Sequence, residues 1–310
     1  FEGDFNANPG EGVFYYNPGP GPDGILHVTP SGTGVSANFQ PLTVNGHYRP
    51  LVGDFDGNAI DDVFWYAPGP APDHLWRFDA MGGHTSSVQT VNGSYQPIVM
   101  DVDGAVGDDI IWYAPGPGPD TIWRFTATGA HTNKPVTING RYIAIPGHFQ
   151  HFPEGSPQER LIWWNPTGFD SIWTFDTSAN HTSVPMTNVD APQPPAGPGY
   201  TGERLTMPVV GTFMEPTLDS VLFYTPGAAA EVFRGFDAAG DEQAFEPPQV
   251  VGLYIPEVGD YDGNGYQDIA WTTGGRAYIW GFHAGGYTQT NVVTDADDTL
   301  PRTAYSYDPF

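Results

Sequence analysis

Short apolar runs recur along the chain at near-regular intervals. Val63-Phe-Trp-Tyr66, Ile110-Ile-Trp-Tyr113 and Val221-Leu-Phe-Tyr224 each follow a polar loop and precede a turn. They are apolar at successive positions, which suits strands covered on both faces. Around each run the pattern predicts three more strands. Strand A precedes the loop (Tyr48 to Phe55), and the apolar run is strand B. Strand C follows a Pro/Gly turn (His74-Leu-Trp-Arg-Phe78, Thr121-Ile-Trp-Arg-Phe125). Strand D ends at Thr90-Val-Asn-Gly93, matched by Thr43 to Gly46 and Thr137 to Gly140. The Asn-Gly pairs supply turn geometry into the next unit.

The unit repeats. Tyr48 to Gly69 returns from Tyr95 to Gly116, and weaker copies give unit starts near Gly3, Gly53, Met100, Gly147, Gly211 and Gly259. A period in the upper forties matches one four-stranded blade, so the expected fold is an all-β propeller of about six blades, with seven as the alternative. The long interval before Gly211 holds a Pro-rich insertion at 189–205, a loop ornament or a binding lip. Residues 299–310 are either a closing strand or a tail, since only Phe1 to Phe5 precede strand B of the first blade.

Forty Gly and 32 Pro in 310 residues reinforce short strands and tight turns over helices. No apolar run is long enough to span a membrane as a helix, so no membrane insertion is expected. The net charge of −26 would repel phosphate backbones, which argues against nucleic acid as a partner. Cys is absent, so no disulfide reports on compartment. The start at Phe1, without Met or leader, reads as a processed segment and favours a secreted, extracellular protein.

The acidity is patterned between strands A and B. Asp54, Asp56, Asn58 and Asp62 stand at positions 1, 3, 5 and 9 of a nine-residue loop, with Gly57 at the bend and the Ile60 carbonyl at position 7. Asp260, Asp262, Asn264 and Asp268, with the Tyr266 carbonyl, repeat the set. Calcium takes six to eight hard oxygens, and such a loop turns alternate residues inward to supply them. These are the expected Ca2+ sites. Asp101, Asp103 and Asp109 form a third loop with Ala105 at position 5, where water would substitute. Blade one (Asp4, Asn6, Asn8, then Gly12) reads as weak or empty, and blades four and five have lost the pattern.

The Gly-Asp-Phe-Asp-Gly-Asn-x-x-Asp-Asp-Val stretch at 53–63 resembles the FG-GAP/VCBS repeats of integrin α-subunit propellers and many secreted bacterial proteins. The resemblance implies a propeller whose calcium ions stiffen one face while ligands bind elsewhere. It spans adhesins, lectins and enzyme-linked modules, so it leaves function open.

In a four-stranded meander the A–B and C–D loops share one end, and the B–C turns and D–A connections share the other. The second end is therefore the expected partner-binding side. Tyr66, Tyr113 and Tyr224 in strand B, and Trp76, Trp123 and Trp173 in strand C, are either core or sugar-stacking surfaces. Arg77 and Arg124 should face away from the strand C Trp and either snorkel or pair with acidic neighbours. His-Thr pairs at 84, 131 and 181 read as structural or ligand-binding. His148, His151 and Glu154 are the one non-repeating cluster with a metal-like composition, though a degenerate solvent loop explains them better. No nucleophile elbow, phosphate loop or zinc helix occurs. The expectation is a recognition module for a glycan or a protein surface, not an enzyme. A structural or assembly domain of a larger secreted protein is the alternative, and a polysaccharide-cleaving enzyme stands further off.

Overall fold

The computed structural model describes residues 1–8, 10, 12–31, 34–150, 158–189, 206–227, 231–245, 250, 252–273, 276–284 and 286–292. Among them every regular element is a strand, and the strands form six four-stranded antiparallel sheets, the blades of a β-propeller. Blade one is β1 (Glu2–Gly3), β2 (Gly12–Tyr15), β3 (Asp23–Ser31) and β4 (Gly34–Leu42). Blade two is β5 (Arg49–Gly53), β6 (Asp62–Tyr66), β7 (Asp73–Phe78) and β8 (His84–Gln89). Blade three is β9 (Gln96–Met100), β10 (Asp109–Tyr113), β11 (Asp120–Phe125) and β12 (His131–Val136). Blade four is β13 (Ile143–Gly147), β14 (Arg160–Trp164), β15 (Ser171–Phe175) and β16 (His181–Pro185). Blade five is β17 (Met207–Glu215), β18 (Leu218–Tyr224), β19 (Val232–Phe236) and β20 (Glu242–Phe245). Blade six is β21 (Ile255–Gly259), β22 (Asp268–Thr273), β23 (Arg276–His283) and β24 (Gly286–Val292).

The chain divides into two compact units, 1–147 with 152–188, and 148–151 with 189–310. The strands of blades one to four belong to the first and those of blades five and six to the second. In the first unit, strand B is buried along its whole length in β6, β10 and β14, as its unbroken apolar run implies. Strand D, by contrast, is mostly exposed. A tryptophan at one register of strand B packs on a tyrosine of the preceding blade: Trp65 on Tyr16, Trp112 on Tyr66 and Trp163 on Tyr113, each pair with ring centroids 5.0 Å apart. Trp271 on Tyr224, at 4.9 Å, repeats the pair in the second unit. Tilted aromatic pairs at this distance add attraction beyond their area burial.

Two expectations about boundaries change. The strand A position of blade one is filled by the two-residue β1, which pairs with Val13 and Gly12. The tail at 299–310 lies outside the described residues, as does 190–205 of the insertion. Strand D ends before the Asn-Gly pair, because Thr90 to Gly93 is drawn out of the sheet. Val91 N–H donates to Asp73 Oδ2 at 2.7 Å, and Gly93 bridges Gly69 of the B–C turn. Val44 on Asp23 and Ile138 on Asp120 repeat the capture at 2.7 and 2.8 Å. The buried aspartate opening strand C thus ties the Pro/Gly turn to the connection leading to the next blade.

Candidate metal loops and blade junctions

Three A–B loops gather carboxylates. Asp54, Asp56 and Asp62, then Asp101, Asp103 and Asp109, then Asp260, Asp262 and Asp268 each bring oxygens within 4.8 Å of one another. The backbone explains how. Asp54 Oδ1 accepts from Gly57 N–H at 2.6 Å and Oδ2 from Ala59 N–H at 2.7 Å, so the loop winds around its first residue. Asp260 is wrapped likewise by Gly263 and Gly265. Gly57 has φ 69°, and a Cβ there would lie 1.8 Å from Val106 Cγ1 in the next loop, so a larger residue would strain the backbone and displace Val106. The last aspartate anchors the loop to strand C. Asp62 accepts from Phe78 and Phe55 N–H at 2.8 and 3.1 Å, and Asp268 accepts from Phe282 and Tyr261 at 2.8 and 3.0 Å. Asn58 and Asn264 cap strand C by donating to the Phe78 and Phe282 carbonyls.

The donor set consists of hard oxygens, as calcium prefers. Asp101 is only 4% exposed, and its Oδ2 has no hydrogen-bond partner. The buried Asp56 Oδ1 has none either. A buried carboxylate oxygen without a partner carries a large desolvation cost unless a cation meets it. Burial pushes Asp62 and Asp109 up to about 8 and Asp101 up to about 6, with neighbouring aspartates adding to each shift. Crowded carboxylates short of counter-charge fit a divalent ion. Arg77 pairs with Asp56 at 3.3 Å, and Arg124 pairs with Asp103, the second of the two arrangements open to them.

A junction invisible to the motif reading runs beside these loops. The residue before the loop's last position reaches back one blade and makes two bonds there. In the first unit, Asp61 accepts from Asp4 N–H at 2.7 Å while its own N–H donates to the Asp4 carbonyl at 2.7 Å. Asp108 does the same with Asp54 (2.9 and 2.7 Å) and Glu159 with Asp101 (3.0 and 3.0 Å). In the second unit, Asp219 clasps His148 (2.7 and 2.9 Å) and Gln267 clasps Thr212 (3.0 and 3.2 Å). The signal was the Asp61-Asp62 and Asp108-Asp109 doublets, of which only the second member was assigned a role.

The proposed sugar-stacking aromatics are placed inside. Tyr66, Tyr113 and Tyr224 are fully buried, and each hydroxyl donates to a glycine carbonyl (Gly93, Gly140, Gly252). Each also accepts the N–H of the tyrosine two residues further on (Tyr95, Tyr142, Tyr254). These rings clamp the D–A connection and have no free face for a sugar. Trp76, Trp123 and Trp173 lie between the strand B Trp and the histidine of the His-Thr pair. His84, His131 and His181 stack on them at 4.0, 3.7 and 3.6 Å. Stacking, a structural role, therefore accounts for the repeated His. Of the cluster at 148–154, His148 forms the clasp with Asp219, and His151 and Glu154 lie outside the described residues.

No protein-family model matches the chain, and no curated protein matches it. One solved structure similar in fold is that of the Photorhabdus luminescens Tc holotoxin pore. A chain of it aligns with 93% of this chain at 12% identity and a TM-score of 0.51. The alignment covers 14% of that chain, so this chain spans a small part of its length. The likeness is one of fold.

Proposed function

We propose that the chain is a calcium-stabilised recognition and assembly module of a secreted protein, non-catalytic, with a protein surface as its partner. The observation that carries this reading is the set of three equivalent carboxylate loops, two of which hold buried oxygens without a partner. Calcium would be held by Asp54, Asp56, Asn58, Asp62 and the Ile60 carbonyl, and by the equivalent groups around Asp101 and Asp260. The resemblance of these loops to FG-GAP/VCBS repeats supports calcium. The fold likeness to a chain of a toxin complex supports a partner of protein kind. With the repeated Tyr and Trp residues committed to packing, a glycan would find few of its expected stacking groups. A net charge of −26 favours a partner with a basic face.

Thermal unfolding in calcium and in chelator tests the first half. Saturation at a hundred times Kd should add about 2.7 kcal/mol per occupied loop. An unchanged melting temperature overturns the calcium reading. A glycan array probed in calcium tests the second half, and specific binding there would overturn the choice of a protein partner.

A further inference from the structure

We propose that Arg77 and Arg124 are built-in counter-cations that weaken calcium binding in blades two and three, so that the blade six loop fills first. This rests on the calcium reading above and deepens it. Trp76, Trp123 and Trp280 hold the same register, opposite Val63, Ile110 and Ile269. The residues that follow them are therefore equivalent, and they are Arg77, Arg124 and Gly281.

The consequence appears at position 3 of each loop. Arg77 Nη1 lies 3.3 Å from Asp56 Oδ2, and Arg124 directs Nε and Nη2 to Asp103 Oδ2. Asp262 of blade six is met instead by its own loop, through Asn264 N–H at 3.0 Å and Asn264 Nδ2 at 3.1 Å. No Lys or Arg pairs with Asp262 among the described residues. A fixed positive charge one carboxylate away opposes a divalent ion and competes for the same oxygen.

Both side chains run along the C–D turn of the following blade. A Cβ on Gly129 would lie 2.5 Å from Arg77 Cδ, so that side chain runs against the C–D turn of blade three. Arg124 Nη2 also donates to the Thr177 carbonyl in the C–D turn of blade four, at 3.2 Å. The arginines do not replace the ion, since the buried Asp101 Oδ2 stays without a partner beside the Arg124–Asp103 pair. They lower the charge each loop presents to it.

Calorimetric titration of the full chain with calcium chloride tests the proposal in wild type, Arg77→Gln, Arg124→Gln and Gly281→Arg. The blade six site can accept the last change, because a Cβ on Gly281 would lie 3.4 Å from Thr288 Oγ1 and 4.0 Å from Asp268 Oδ1. Wild type should show one tight step and two weaker ones. Each Arg→Gln variant should tighten a weak step by about tenfold, and Gly281→Arg should weaken the tight step by about tenfold. Unchanged or weaker binding in the Arg→Gln variants overturns the proposal and makes each arginine a brace for its aspartate. If those variants fail to fold, Gly281→Arg decides alone, and an unchanged tight step there overturns it. A wild-type chain that takes no calcium overturns the calcium reading itself, a result separate from the others.

Discussion

Blades two and four share one architecture and place an acidic and a basic residue at the same buried position. Opposite Gly53, blade two places Asp62, and opposite Gly147, blade four places Arg160. Asp62 gathers the Phe55 and Phe78 amides, whereas Arg160 Nε donates to Thr174 Oγ1 at 2.9 Å. One residue earlier the two blades agree. Asp61 and Glu159 make the same pair of bonds to the preceding blade. Two residues earlier Gln158 takes over part of the work of Asn58, capping the Phe175 carbonyl as Asn58 caps that of Phe78. Loop chemistry and blade junction are thus separable: the ion-binding pattern can be lost while the clasp beside it is kept.

The largest expected effect tests that separation. Asp61→Ala and Glu159→Ala should each cost about 2–3 kcal/mol, because each strips a carboxylate from a backbone N–H at a junction. Urea denaturation should give similar losses for both, with or without calcium. A Glu159 variant with wild-type stability would break the equivalence of the two blades.

Next in size, Gln158→Leu should cost about 1–2 kcal/mol by leaving the Val102 and Phe175 carbonyls without their donor. Its loss should be independent of calcium, whereas Asn58→Leu should also reduce the stabilisation calcium brings. Equal calcium responses in the two variants would remove Asn58 from the ligand set. Tyr66→Phe should cost about 1 kcal/mol through the bonds to Gly93 and Tyr95. That loss should appear in melting experiments and leave partner binding intact.

A pH-dependent effect concerns the acidic loops alone. The folded chain holds Asp62 and Asp109 at about 8, above an unfolded value near 4. Their raised values favour the folded state while the groups are protonated, and that contribution is lost as pH rises from about 4 through about 8. The calcium-free chain should therefore weaken over this window. Calcium binds the ionised form, so the gap between melting temperatures in calcium and in chelator should widen with pH. A gap that stays constant from pH 5 to 8 would show that these carboxylates do not control the ion.

Much of this was legible in the sequence. The repeat, the strand B runs and the acidic spacing are local patterns, and the structure brings the members of each carboxylate set together. The clasp was not legible, because its partner is a backbone amide in the preceding blade and leaves no mark on the residue that supplies it. The fate of the aromatics was not legible either. A Tyr that caps a connection and a Tyr that stacks on a ligand look alike until the Gly93 carbonyl and Tyr95 amide are located. Strand D was overextended because Asn-Gly reads as a hairpin turn, while the side chain that diverts the backbone, Asp73, lies at the start of strand C.

The clasp has a consequence for how such a chain can grow. Each of blades two to six offers its predecessor one acidic or amide side chain and asks for a main-chain amide and carbonyl, which every residue except proline supplies. A duplicated blade inserted into the series would find this backbone half of the seam ready on either side, while the Trp-on-Tyr pairs across it would still need matching residues. Lineages can then lengthen, shuffle or retire individual loops while the seams between copies stay in working order.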